Sequence, residues 1–202
     1  MNYKTAIDGV APIANKLGAF LANPVIRVAL CEPAEPLRFR RLMDDRAQLV
    51  INLSQERLGA DTSNVVGGLI VSSIMHAAFS RHDVPPPERT PFFFYVDEFH
   101  AFSTSALASM LSEVRKYGLG LVLAHQHTAQ LDSDTFEAIM GNVGTQDVFR
   151  IGATDAYVFS RQFEDISPRD LINLPNFRTY MKLMIDGIRT STFSATMRPP
   201  QS

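Results

Sequence analysis

The sequence predicts an α/β fold, a parallel sheet wound with helices, and three observations carry that prediction. Apolar runs rich in β-formers, at 92–96, 119–124 and 145–151, alternate with segments of helical periodicity. The first two runs end abruptly in polar residues: Asp97 and Glu98 after one, His125, Gln126, His127 and Thr128 after the other. Open α/β sheets put their chemistry outside the carboxyl ends of the strands, so both sets are expected at one edge. Finally, 202 residues at 46% hydrophobic content can bury a real core.

Taken in order, residues 5–21 carry Ala6, Val10, Ile13, Leu17, Phe20 and Leu21 at helical spacing, and Pro24 after Asn23 can start a second short helix. Residues 31–46, with Pro33, Pro36 and mixed charge, read as a surface connection. Arg38, Arg40 and Arg41 there suit either a phosphate-binding patch or a solvated face, and the solvated face is favoured because Asp44 and Asp45 follow at once. Residues 47–53 read as a strand and the polar stretch after them as a loop. Val65, Val66, Leu69, Ile70, Ile74, Ala77 and Ala78 then predict a helix over 63–81, capped by Asp61, Thr62 or Ser63. Three prolines make 81–90 an exposed loop.

Pro91 opens the run FFFYV, whose composition suits a central strand covered on both faces. Ser103-Thr104-Ser105 can cap a helix over 106–116, which Gly118 ends, with Arg115 and Lys116 in its last turn. Beyond the second strand, 132–140 suits a short helix, 142–144 a turn, 145–151 a strand, and 153–162 and 168–173 short helices. Asp186-Gly187, between TYMKLMI and IRTSTFSATM, is a strong hairpin signal.

A formal net charge of −2 gives no general electrostatic reason for nucleic-acid binding, although a local patch can hide in a neutral average. Cys31, the only cysteine, excludes an internal disulfide, fits a reducing compartment and is expected to be buried. No apolar run approaches the ~20 residues that span a bilayer, and the first residues lack a signal-peptide plan, so a cytoplasmic chain is expected.

The two carboxylates are candidates for magnesium and water chemistry: Asp97 to hold the ion, largely through its waters, and Glu98 to orient or deprotonate an attacking water. Gln126, on the neighbouring strand, could report a γ-phosphate. The plain alternative is that strand ends are acidic because they meet water. A metal site of Asp97, Glu98, His100, His125 and His127 ranks lower, since these residues fall on two strand ends without fixed ligand spacing.

The ordered series VINLSQERLGADTSNVVGGLIVSSIMHAAFSR, FFFYVDEFHAF, RKYGLGLVLAHQHTAQL, GNVGTQDVFRIGATDA and the final hairpin resembles the C-terminal half of TraG/TraD-like conjugative coupling proteins, relatives of the HerA and FtsK DNA-pumping motors. The resemblance covers residues 5–198. It implies a RecA-like three-layer P-loop NTPase core with a C-terminal β-hairpin, residues 47–198 forming part of the ATPase domain behind a helical segment and connection at 1–46. Asp97 then matches the Walker B magnesium carboxylate, Glu98 the catalytic glutamate and Gln126 the sensor. Arg115 matches an arginine presented to a neighbouring subunit's nucleotide, and Arg150 is a second candidate whose ordinary role is a buried ion pair. ATP and Mg2+ are the implied cofactors of the complete protein. Its implied partners are DNA and relaxosome or type IV secretion proteins, in a homo-hexamer that can sit at the cytoplasmic face of the inner membrane.

The departure is large: no GxxxxGK[ST] phosphate loop occurs, and Gly67-Gly68 falls within a helix. The family pattern places the phosphate-loop strand beside the strand carrying Gln126, so its absence leaves an unsatisfied edge. The core is therefore expected to be incomplete and inactive alone, a fragment of a longer ATPase. The alternative is a non-catalytic module that docks a relaxosome or secretion component.

Overall fold

The computed structural model describes residues 18, 21–32, 35–102 and 111–199. Most of the helix expected over 5–21, and residues 103–110 with their serine-rich cap, lie outside the described residues. The short helix α1 spans Pro24–Cys31, and Cys31 is exposed, not buried. The expected surface connection instead folds at α2, Phe39–Asp44, because Met43 finds a place in the core, where it is fully buried. Arg40 and Arg41 do form the solvated face, pairing with Asp44 and Asp45 one turn on at 2.5 and 3.1 Å.

No strand forms over 47–53: this stretch has no strand partner, and Val50 is 94% exposed. The polar loop after it contains a one-turn helix, α3, Gln55–Leu58. Helix α4 runs Ala60–Phe79, and its start is Gly59 in a left-handed conformation rather than a side-chain cap. Ser63 donates instead to Leu53 O at 2.5 Å, tethering the unpaired stretch.

The buried face of α4 is rotated from the expected one: Ser63, Gly67, Val71, Ile74 and Ala78 face inward, while Val65 and Leu69 are about half exposed. Small residues decide this, since a Cβ at Gly67 would fall 2.1 Å from the Phe102 ring, so that the helix can approach only along its glycine. The helical run Ala60–Asp83 is also long and apolar enough to cross a membrane by length and composition, against expectation, yet part of it is this core contact.

Strands β1, Phe92–Val96, and β2, Leu119–Leu123, pair in parallel over five residues, as the alternation requires. Phe92, Phe94 and Val96 join Leu119, Leu121 and Leu123 over α4 in one core. The other face is open: Phe93 is 60% and Tyr95 70% exposed, so β1 is not covered on both sides. The Phe93 ring lies over Gly120, its register partner, where a Cβ would meet it at 2.7 Å. Neither outer edge of this two-stranded sheet is paired among the described residues.

The third expected parallel strand goes elsewhere. After α5, Ser133–Asn142, which Asp132 caps through Thr135 N, the strand β3, Gln146–Val148, pairs antiparallel with β4, Arg178–Lys182. Helices α6, Ala153–Ser160, and α7, Pro168–Ile172, intervene, the latter opened by a Ser167–Asp170 capping box. The hairpin at Asp186-Gly187 forms as expected, with φ of 51° and 82°, between β5, Met184–Ile185, and β6, Ile188–Arg189. Strand β7, Phe193–Thr196, completes the sheet on β4. A second core of Val148, Ala156, Phe163, Leu171 and Leu174 lies here.

Arg81 was expected in an exposed loop, but it is wholly buried at the 3₁₀ turn Ser80–Asp83. Its Nη1 donates to Thr90 O at 2.9 Å and Tyr117 O at 3.2 Å, the residues just ahead of β1 and β2, and Nε donates to Asp44 Oδ1 at 3.1 Å. Burial alone would raise the Asp44 carboxyl, but hydrogen bonds from Arg40 and Arg81 outweigh it and hold it below the ordinary range.

Arg81→Ala is expected to cost about 3 kcal/mol in urea unfolding, and Arg81→Lys to recover little, because one ammonium cannot span three acceptors. Since the folded pKa of Asp44 is depressed, its contribution is full above the unfolded carboxylate value and fades as pH falls through the folded one. Asp44→Asn should flatten that acid limb of the stability profile.

Candidate functional site

The carboxyl ends of β1 and β2 are locked together by backbone before any side chain acts. Ala124 N donates to Val96 O at 2.9 Å and Phe99 N to Ala124 O at 3.2 Å. Between those bonds the chain reverses sharply: Glu98 takes a φ of 47°, a left-handed conformation uncommon for a non-glycine residue. Asp97 Oδ1 accepts from Glu98 N at 3.0 Å and so braces the turn.

The turn aims Glu98 across to the next strand, where Gln126 Nε2 donates to Glu98 Oε1 at 2.7 Å. Asp97 and Gln126 are exposed and Glu98 is half-buried. Glu98 Oε2 lies 3.4 Å from His100 Nδ1, an approach without hydrogen-bond alignment. These residues stand at the mouth of a groove of about 890 Å³, which runs between residues 49–55, α4 and β1.

Parallel pairing thus brings Asp97, Glu98 and Gln126 to one edge. It does not bring Arg115 or Arg150 there. Arg115 is exposed in the 3₁₀ turn Val114–Tyr117, at the opposite end of β2, and Arg150 is exposed after β3 rather than in a buried ion pair. Neither makes a salt bridge with another described residue.

The histidines diverge. His125 turns inward, its ring edge-to-face on Phe99 at 4.8 Å, and burial pushes its pKa below the ordinary value. His127 Nδ1 lies 3.5 Å from Asp155 Oδ2. Among the described residues no three His, Cys, Asp or Glu side chains gather to hold a metal, so the five-residue metal site does not assemble.

Sequence reasoning missed Asp155. It is only 4% exposed, and it accepts from both the amide, at 3.3 Å, and the hydroxyl of Thr128. Because Asp155 sits on α6 beside the fully buried Ala156, it fastens the loop after Gln126 to the second core. An aspartate in GATDA gives no sign of this in one dimension.

With this geometry in place, the likeness to known proteins is specific. Residues 91–163 match the family model described as the TraM recognition site of TraD and TraG. That stretch is TraG/TraD-like. Among solved structures, the bacterial conjugative coupling protein TrwBdeltaN70 in its unbound monoclinic form superposes with a TM-score of 0.68 at 18% identity, over 84% of this chain and 45% of that one. Its trigonal form in complex with sulphate gives 0.61 at 17%, with the same coverage. Over 84% of its length this chain therefore shares the α/β fold of the coupling-protein structures it matches, and it spans under half of their length. No curated protein matches it.

The His125 imidazole should titrate in NMR with a midpoint below 6.5. The folded chain resists that proton more than the unfolded one, so stability should fall as pH drops below 6.5 towards the folded value. Asp155→Ala leaves the Thr128 amide and hydroxyl without their partner, and should lower stability by about 1–3 kcal/mol and speed hydrogen exchange at Thr128.

Proposed function

We propose that this chain supplies the C-terminal part of an ATP-driven DNA-translocating motor of conjugation or type IV secretion, residues 47–198 forming its share of the ATPase domain. The observation that carries the reading is the 2.7 Å hydrogen bond from Gln126 to Glu98, made across two parallel strand ends with Asp97 alongside. Acidic strand ends that merely meet water need no such cross-strand partner.

Asp97 would hold magnesium as a Walker B carboxylate, with one oxygen already committed to the turn. When bound with ATP, the ion would offset phosphate charge. Glu98 orients and takes a proton from the attacking water, and Gln126 fixes the carboxylate's rotamer while sensing the phosphate side. Arg115 and Arg150, exposed and outside the groove that Glu98 lines, suit presentation to a neighbouring subunit in a hexamer, where a cation would stabilise transition-state charge.

The missing partner is a phosphate-loop strand and its helix. Parallel strands are ordinarily buried on both faces, yet here Phe93, Tyr95 and Val122 are exposed and the outer edge of β2 has no partner among the described residues. A further strand added beside β2 would complete the sheet and set phosphates against Asp97 and Glu98.

A second reading, a docking module for a relaxosome protein, is favoured by the match to the TraM recognition site over residues 91–163. The two are separable. The 202-residue chain alone is expected to show no magnesium-dependent ATP turnover, and turnover lost on Glu98→Gln would sink the incomplete-site reading. Co-expressed with a polypeptide supplying a phosphate-loop strand and helix, it should hydrolyse ATP, and Glu98→Gln should cut the rate at least about 100-fold. Failure of the paired proteins to turn over would leave the docking module as the better account.

A further inference from the structure

A second pocket, of about 330 Å³, lies away from the carboxylates, between α7 and the β4–β7 pair. Its wall includes Arg169, Asp170, Asn173, Arg178, Tyr180 and Ser194. Antiparallel register sets Tyr180 directly opposite Ser194, and Arg178 opens the same strand. The two arginines therefore reach the pocket from different elements, one from the helix and one from the sheet.

Most of the other arginines that brace this fold are engaged: Arg40, Arg41, Arg81 and Arg89 each bond a carboxylate or a carbonyl. Arg169 and Arg178 make no side-chain hydrogen bond or salt bridge to another described residue, and neither do the hydroxyls of Tyr180 and Ser194. The one carboxylate in the wall is engaged through one oxygen, since Asp170 Oδ2 accepts from Ser167 N at 2.9 Å and Ser167 Oγ at 2.6 Å. Asn173 spends its amide on Arg169 O at 2.9 Å, which ties down the loop between the arginines. The wall thus holds an excess of uncommitted donors and a net charge of about +1, counting two guanidiniums against one carboxylate.

We infer that this pocket is a binding site for a phosphate group. A carboxylate presents two oxygens, which a single arginine fork satisfies. Two forks, one from a helix and one from a strand, with the Tyr180 and Ser194 side chains in the same wall, suit the larger number of oxygens on a tetrahedral phosphate. The volume stands at the low end for ligand pockets, which favours the phosphate group itself over a whole nucleotide. The phosphate can come free in solution or as part of a phosphodiester chain. The site shares no residue with the groove at Glu98, so it stands or falls independently of the motor reading.

The test is titration of the isotope-labelled 202-residue chain, followed by NMR, with inorganic phosphate, with a short single-stranded oligonucleotide, and with acetate at matched ionic strength. Saturable shifts at the amides of Arg169, Asn173, Arg178 and Ser194 are expected with at least one phosphate source. A response to inorganic phosphate assigns a free ligand, and one to the oligonucleotide alone assigns a phosphodiester. Arg169→Gln and Arg178→Gln should each weaken binding about tenfold, the scale of one charge-assisted hydrogen bond, whereas Arg161→Gln, which removes the same charge outside the pocket, should not. Equal binding of acetate, equal loss in Arg161→Gln, or the absence of saturable shifts would overturn the assignment.

Discussion

The buried guanidinium of Arg81 is the contact on which the positioning of the candidate site depends. It bonds the carbonyls of Thr90 and Tyr117, the residues that enter β1 and β2, and so it fixes where both parallel strands begin. A parallel pair has no hairpin to set its register, and its two strands are joined here through a long crossover. A planar donor fork fixed to Asp44 and closing on both entry points supplies that alignment from the side. Phe92 then pairs with Leu119, and four residues later Val96 pairs with Leu123. Had the strands slipped by one residue, each side chain of the slipped strand would change face, and Glu98 and Gln126 would no longer meet.

The candidate site is stiff where Glu98 is aimed, and one face of the sheet beside it is open. Glu98 holds a left-handed conformation of the kind that surroundings must over-determine, and the Asp97 brace and the Phe99 to Ala124 hydrogen bond do so. From helix α6, Asp155 performs the same office for the loop behind Gln126, and it joins the parallel sheet to a second core that includes Val148 of the antiparallel sheet. Meanwhile Phe93 and Tyr95 leave an aromatic face uncovered beside the groove that leads to Glu98. An apolar face next to an ordered cluster of polar groups is suited to receiving another layer of structure.

Local signals proved sufficient for some elements and not for others. Strand β1, strand β2, the capped helices α5 and α7 and the Asp186-Gly187 turn were legible, because alternation, capping residues and a turn dipeptide act within a few positions. Residues 47–53 have a strand's composition yet remain unpaired, since a strand needs a neighbour's edge as well as its own propensity. The run at 145–151 has similar composition and found its neighbour in β4, more than thirty residues away, rather than in the parallel sheet. Helix α4 exists as its periodicity requires, but Gly67 against Phe102 rotated its buried face.

The sequence by itself determined which polar residues stand at the two strand ends. Asp97 and Glu98 on one and Gln126 on the other follow from apolar runs that stop in polar residues, and the order of motifs carried the TraG/TraD likeness. Tertiary structure decided which of the marked residues act together. Glu98 and Gln126 touch, His125 and His127 turn away to Phe99 and Asp155, and Arg115 and Arg150 stand apart. It also gave roles to Arg81 and Asp155, which no local pattern distinguishes. The physical reason is that periodicity and capping reach only a few residues along the chain, whereas a buried charge is recognised by partners that the fold brings from far away in sequence.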